Sequence, residues 1–276
     1  MTTVALALGA GGARGLAHIV VLEALDELGI RPVAIAGASI GALVGASYAA
    51  GLSGKQMRRY VIQLAHDRGD VFRRLLAARA SSFADLFAGG IGSMTLVDAE
   101  KFCAQFLPPE VPATFEALQT PLTVIASDLY ARHELAISSG ALTSALAASI
   151  ALPGLTRPVL REGRVLVDGG ATNPLPFDHL RGKADVIIAC DVSGAPTPER
   201  TELPSAIESL YATVLVMNNT ITRAKLREGA PDIVLTPNIG IFRVLDLFQA
   251  SAILRLAEPL KDELKARLDA VMSGRT

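Results

Sequence analysis

The chain has 276 residues, half of them hydrophobic and 19% charged, with a formal net charge of −1. That length buries a sizeable core, in one large domain or two small ones, and the near-neutral balance gives no electrostatic footprint for nucleic acid. Cys103 and Cys190 stand far apart without ligand spacing, so they read as buried, reduced thiols of a cytoplasmic protein and not as a disulfide framework.

The first residues carry no basic leader; "TVALALG" is a short apolar run, the pattern of a strand covered on both faces. The glycine loop "GAGGARG" follows. Leu16, Ile19, Leu22, Leu25 and Leu28 then return at helical spacing, and Gly29 stops the helix. "RPVAIAG" is a second buried strand and "GALVGASYAAG" a second helix. The first fifty residues therefore spell β-loop-α-β-turn-α, a right-handed crossover on a parallel sheet.

Mean hydropathy is +0.39, and no charge falls between Arg31 and Lys55. Gly37, Gly41 and Gly45 could line a small-xxx-small face of a membrane helix. Pro32 and the repeated glycines interrupt that stretch well short of the ~20 apolar residues a span requires. Ser, Thr and Pro153 interrupt the other charge-free stretch, Leu135 to Thr156, so no transmembrane helix is expected.

Residues 66–100 mix arginines with Phe72, Phe83 and Phe87. Two readings stay open there: a surface helical excursion, or a cap or contact with anionic lipid heads. "PLTVIASDL" is a strand ending at Asp128. "TRPVLREGRVLVDGG" is a hairpin turning at Glu162-Gly163, with Asp168 closing its second arm. "ADVIIACD" is a strand ending at Asp191, and "APTPERTELPS" a polar loop. The remainder reads as helix, the strand "PDIVLTP" and a final amphipathic helix near 243–272.

Gly37-Ala38-Ser39-Ile40-Gly41 is a G-x-S-x-G strand-to-helix turn, which exposes the serine oxygen while the glycines relieve crowding. The glycine loop suits either a dinucleotide phosphate or the oxyanion of an acyl transfer. The dinucleotide reading is weak. Ala10 takes the first glycine position of the frame ending at Gly15, and the second strand lacks the acidic residue that holds a ribose. An oxyanion site from Gly11, Gly12 and their neighbours fits better.

Of the four histidines, His18, His66, His133 and His179, only His179 follows the chain order of a Ser-His-Asp hydrolase. It sits on a segment leading away to the next strand. Asp128, Asp168 and Asp191 end strands. Asp168, followed by two glycines, has the most suggestive context. A partly desolvated carboxylate touching the serine would be a stronger base than a free one. The spacing alone does not choose Asp168 over Asp128.

Taken together, "GAGGARGLAHIVVLEALDELGIRPVAIAGASIGALVGASYAAG" and "SDLYARHELAISSGALTSALAASIALPGLTRPVLREGRVLVDGGATNPLP" resemble the patatin-like phospholipase family over about residues 4–195. The resemblance implies one α/β domain over 1–276, a three-layer patatin-like fold with a mainly parallel central sheet and helices on both faces. It implies a hydrolase of lipid acyl esters (phospholipid, lysophospholipid or acylglycerol) that uses no metal or other cofactor. Carried over by position, Ser39 is the nucleophile and Asp168 the base. The N–H groups of Gly11, Gly12 and Ala13 form the oxyanion hole. Arg14 orients that loop or meets a lipid phosphate, and Gly15, Gly37, Gly41, Gly169 and Gly170 are the motif glycines. The implied partner is a lipid ester, with peripheral membrane contact left open. Two positions depart from the family pattern: Ala10, and Val20 in place of the glycine of H-I-G-V-L. A lipid acyltransferase and a non-catalytic lipid-binding protein of the same fold remain as alternatives.

Overall fold

The computed structural model describes residues 2–78, 97–193 and 203–274. Phe83 and Phe87, part of the cap-or-lipid-contact reading, lie outside the described residues, as does most of the polar loop after Asp191. The strands are β1 (Val4–Leu8), β2 (Ala34–Ala38), β3 (Leu122–Asp128), β4 (His133–Ile137), β5 (Val159–Arg161), β6 (Arg164–Asp168), β7 (Val186–Cys190) and β8 (Ile233–Leu235). They form one mixed sheet in the order β5-β6-β3-β2-β1-β7-β8, with β4 also paired to β3. The pairings from β3 through β8 along this order are parallel, whereas β4, β5 and β6 run antiparallel to their neighbours. The fold is thus α/β, as expected.

The two faces of the sheet are covered unequally, and the strand sequences show why. Val4, Leu6 and Leu8 of β1, Ile35 of β2, and Val186, Ile188 and Cys190 of β7 point into the large core. Alternate side chains point to opposite faces, and the residues between them are small: Ala5, Ala7, Ala34, Ala36 and Ala189, with Ile187. The large side chains receive α1 (His18–Glu27), α2 (Ile40–Ala49), α5 (Ala99–Phe106) and α6 (Leu142–Ser149). Across the alanine face the chain packs close, through Leu175, Phe177 and Leu180. Cys103 and Cys190 are free and buried.

Outside this frame lie α3 (Gly54–His66), α4 (Arg68–Ala77), α7 (Ala206–Glu228), α8 (Ala250–Ala257) and α9 (Leu260–Met272). The final helix expected near 243–272 is in fact a 3-10 turn at Leu247–Gln249 followed by α8 and α9, broken at Glu258-Pro259. Proline has no N–H to donate to the preceding turn, and its ring crowds the carbonyl there. The hairpin turn falls where the sequence puts it, with Glu162 at φ 51° and Gly163 at φ 76°, the two positive values of a two-residue hairpin loop. Among the described residues no helix is long and apolar enough to cross a membrane.

Gly41 and Gly45, which raised the membrane reading, face the sheet instead. A Cβ on Gly41 would lie 2.1 Å from the Leu8 carbonyl oxygen, whereas one on Gly45 would lie 3.1 Å from Ile35 Cγ2. Replacing a helical glycine by alanine gains about 1 kcal/mol of helix propensity. At Gly41 the backbone cannot give way, and overpacking of about 3 kcal/mol or more outweighs that gain. We therefore expect Gly41→Ala to lose at least about 2 kcal/mol of stability and Gly45→Ala to stay within about 1 kcal/mol of wild type, as read by urea unfolding.

Candidate active site

Ser39 stands between β2 and α2 with φ 54° and ψ −126°. An L-residue in such a region costs roughly 1–3 kcal/mol unless its surroundings hold it there. The Ser39 N–H donates to Ser149 Oγ at 2.8 Å, and that hydroxyl donates in turn to the Ile125 carbonyl at 2.6 Å. Ser149 is fully buried at the end of α6.

The Ser39 hydroxyl donates to Asp168 Oδ2 at 2.6 Å, and Asp168 Oδ1 accepts the Gly170 N–H at 2.7 Å. Sheet register brings the two residues together. Ala38 pairs with Ile125 on β3, and Asp168 with the next β3 residue, Ala126. Burial pushes the Asp168 carboxyl up to about 6, against the opposing pull of the hydrogen bonds from Ser39 and Gly170. The other two strand-ending aspartates are engaged elsewhere. Asp128 Oδ1 accepts the N–H groups of Tyr130 and Ala131, and Asp191 Oδ1 accepts that of Ser193. Of the three, Asp168 is the one that meets Ser39.

The glycine loop passes between two stretches of backbone, at Val192 and Val244, that leave no room for side chains. A Cβ on Gly11 would lie 2.7 Å from the Val192 carbonyl oxygen, and one on Gly12, at φ 59°, would lie 2.4 Å from that of Val244. The Ala10 N–H donates to Pro174 O and the Ala13 N–H to Val244 O, each at 2.8 Å. The N–H groups of Gly11 and Gly12 find no acceptor among the described residues. The expected set of three amides therefore narrows to two available ones. Ala10, the departure from the family pattern, leaves the loop anchored through its own N–H.

Arg14 is buried, with Nε donating to Phe242 O at 2.8 Å and a terminal nitrogen donating to Ser193 O. It ties the loop to two distant segments. His18 supports the loop from below, with Nε2 2.9 Å from Gly9 O. A carbonyl can only accept, so Nε2 carries the proton, and burial holds the ring neutral by lowering its pKa to about 4. The remaining motif glycines allow close packing: a Cβ would lie 2.2 Å from Ile40 Cγ2 at Gly15, 2.6 Å from Gly41 O at Gly37, and 2.1 Å from Ile125 O at Gly169. Val20 is buried in the core.

His179 does not approach Ser39; its Nε2 lies 2.8 Å from Glu134 Oε1. Glu134, Asp178 and His179 come close enough together to hold a metal ion. The cationic Lys225 already sits among them, 2.8 Å from Asp178 and 3.7 Å from Glu134, so the group is satisfied as an ion-pair network.

Ser39, Asp168, Gly11 and Gly12 share a pocket of about 40 Å³ whose opposite wall is α7, through Tyr211, Leu215 and Asn218. With its amide nitrogen turned inward, Asn218 donates to the Gly170 carbonyl at 2.9 Å. Beside this pocket lies a cavity of about 150 Å³ lined by Leu16, Ile40, Val44, Phe102, Phe106 and Phe248, among other apolar residues. Its serine, Ser47, gives its hydroxyl to the Leu43 carbonyl. Sequence reasoning missed Ser149, Tyr211 and Asn218, which belong to no motif and carry no periodic signal.

The fold and the site are those of an α/β protein in which a sharp strand-to-helix turn presents a serine hydroxyl to a buried aspartate. Residues 6–181 match the model of the patatin-like phospholipases, and the chain belongs to that family. An uncharacterized NTE family protein of Mycobacterium tuberculosis is 37% identical over 204 residues, covering 73% of this chain and 52% of the relative. Lysophospholipase nte1 of Aspergillus fumigatus is 34% identical over 191 residues, covering 68% of this chain and 12% of the fungal protein. The chain thus spans about half the length of the mycobacterial relative and a small part of the fungal one. VipD from Legionella pneumophila has a similar fold, with a TM-score of 0.50 at 13% identity over 95% of this chain and 66% of VipD.

The raised pKa of Asp168 has a consequence for stability. A carboxyl that titrates near 6 when folded but near 3.9 when unfolded binds its proton more readily in the folded chain. Its ionisation therefore subtracts from stability as pH rises, by about 1.4 kcal/mol per pH unit between those values. Asp168→Asn removes that dependence. Its stability relative to wild type should improve by about 2 kcal/mol between pH 4 and pH 7, measured by urea unfolding at each pH.

Proposed function

We propose that this chain hydrolyses acyl esters of lipids, with Ser39 as nucleophile and Asp168 as its base. One observation carries the reading: the Ser39 hydroxyl lies 2.6 Å from a buried carboxylate whose proton affinity burial has raised. A serine alcohol attacks only when a neighbouring base takes its proton and donors meet the charge that forms. Asp168 accepts the proton as Oγ bonds to the ester carbonyl carbon. The oxyanion is held by the N–H groups of Gly11 and Gly12. Protonated Asp168 then gives its proton to the departing alcohol oxygen as that bond breaks. A water molecule, deprotonated by the same carboxylate, attacks the acyl-enzyme and releases the fatty acid, and the proton returns to Ser39.

The apolar cavity supports a fatty acyl substrate. Ile40, next to Ser39 in the chain, forms part of its wall, so an ester carbonyl at Ser39 can extend its chain over Ile40 toward Phe102 and Phe106. At its opening Phe248 is half exposed beneath the Arg68 guanidinium, 5.5 Å from the ring centroid, and Phe72 is exposed on α4. These groups suit peripheral contact with a lipid surface, where apolar rings enter the interface and arginine meets anionic heads. The name of the fungal relative points to lysophospholipids among the esters to be tried.

Release of fatty acid from a panel of phospholipids, lysophospholipids and acylglycerols, identified by mass, tests the reading. Ser39→Ala and Asp168→Asn should each lower turnover at least ~1000-fold while remaining folded; near-wild-type turnover in either variant refutes it. Because the base must be ionised, kcat/KM should fall on the acid side of about pH 6, with a slope of one proton. Val44→Phe, which partly fills the cavity, should shift preference toward shorter acyl chains by about 1–3 kcal/mol in relative kcat/KM, measured with esters of increasing length.

A further inference from the structure

The face that α7 turns to the protein is unusual in its chemistry. Among the described residues, those it buries are Tyr211, Asn218 and Thr222, all polar, whereas Leu210, Val216 and Met217 of the same helix are exposed. Asn218 is satisfied by the Gly170 and Val214 carbonyls. The Tyr211 hydroxyl is not: it is buried, with no hydrogen-bond partner among the described residues, beside the turn at Gly154. A buried hydroxyl left unpaired costs about 1–3 kcal/mol, and burial raises the phenol's pKa, so the group stays a donor at physiological pH.

Five buried side-chain polar atoms lack a partner among the described residues, those of His18, Asn173, Ser193, Tyr211 and Thr222. Of these residues, Tyr211 lines the pocket that holds Ser39, Asp168, Gly11 and Gly12. The apolar cavity leaves Ser39 by way of Ile40, between α2, α3 and α5, away from α7. An ester seated with its acyl chain in that cavity therefore directs its alcohol half toward α7. Helix α7 also lies beyond residues 6–181, the segment matched to the family.

We propose that Tyr211 is a specificity residue. Its hydroxyl donates to an oxygen on the alcohol half of a glycerol-based ester, either a glycerol oxygen or a phosphate oxygen, and so favours glycerolipids over simple esters of the same acid. The inference rests on the hydrolase reading and adds the residue that distinguishes the alcohol half of the ester.

The test compares wild type with Tyr211→Phe on three esters of one fatty acid: lysophosphatidylcholine, monoacylglycerol and p-nitrophenyl ester. The phenylalanine variant should lose about tenfold in kcat/KM on the glycerol-based esters that wild type cleaves. It should keep its rate on the nitrophenyl ester and melt no lower than wild type, because an unpaired hydroxyl has been removed. Loss confined to lysophosphatidylcholine identifies the phosphate as the acceptor, and loss on both glycerol esters identifies a glycerol oxygen. An equal change on all three esters, no change on any, or a lowered melting temperature with uniformly reduced activity overturns the proposal. So does a wild-type enzyme that cleaves the nitrophenyl ester alone. Failure of wild type on all three refutes the hydrolase reading, and this inference falls with it.

Discussion

A carboxylate buried beside a serine is the constraint on which the rest of this site depends. Removing Asp168 from water works against its charged form, and two hydrogen bonds offset only part of that cost. The chain must therefore hold the group in place by other means. It does so with the sheet: β6 pairs with β3, the Asp168 N–H donates to the Ala151 carbonyl at 3.0 Å, and the Ser127 hydroxyl donates to the Asp168 carbonyl at 2.9 Å. The turn at Ser39 is held in the same way, by Ser149 bridging to Ile125 of β3. Both halves of the pair thus hang from one strand, and the distance between them is set by register and not by flexible side chains.

The alternation of large and small residues on β1, β2 and β7 serves that arrangement. Bulky side chains on one face recruit the helices that bury most of the apolar surface, the main driving force for folding. Alanines on the other face let the segment after Gly170 run flat against the sheet and bring the Pro174 carbonyl to the Ala10 N–H. The glycine loop and the turn following Asp168 are consequently tied to each other as well as to the sheet. Larger residues on that face would lift the Pro174–Leu180 segment and loosen both.

The parts of the molecule that obey a local rule were legible in the sequence. Glycine spacing and apolar runs placed β1, the loop, β2 and the Ser39 turn in order, and the Glu162-Gly163 hairpin followed from turn chemistry. Residue spacing did not choose Asp168 over Asp128; the family resemblance did, and the β3 register shows the physical reason, bringing Asp168 level with the Ser39 turn. The number of free amides in the loop was also not legible: the Ala13 N–H is taken by Val244, a residue 231 positions away in the numbering. Ser149 and Tyr211 had no local signature at all. A serine among alanines and a tyrosine on a mixed helix look like ordinary surface or packing residues until their partners, or the lack of one, are seen.

On the proposed function, helix α7 separates recognition from chemistry along the chain. A helix fastened to a protein by hydrophobic burial turns its apolar stripe inward, but α7 buries tyrosine, asparagine and threonine most completely. Its attachment is largely polar. Lys225 pairs with Asp178 at 2.8 Å, Arg243 reaches Glu208 at 2.6 Å, and Leu226 adds a contact with the smaller core. A polar inner face is unfavourable for a structural helix but well suited to one that forms a wall of a polar pocket. Ser39, Asp168 and the glycine loop lie on the sheet and its first crossover, and none of their supporting hydrogen bonds apart from that of Asn218 comes from α7. The wall opposite Ser39 can therefore vary in sequence without disturbing the Ser39–Asp168 pair; on the proposed hydrolysis, this lets the alcohol half of the ester be chosen separately from the bond that is broken.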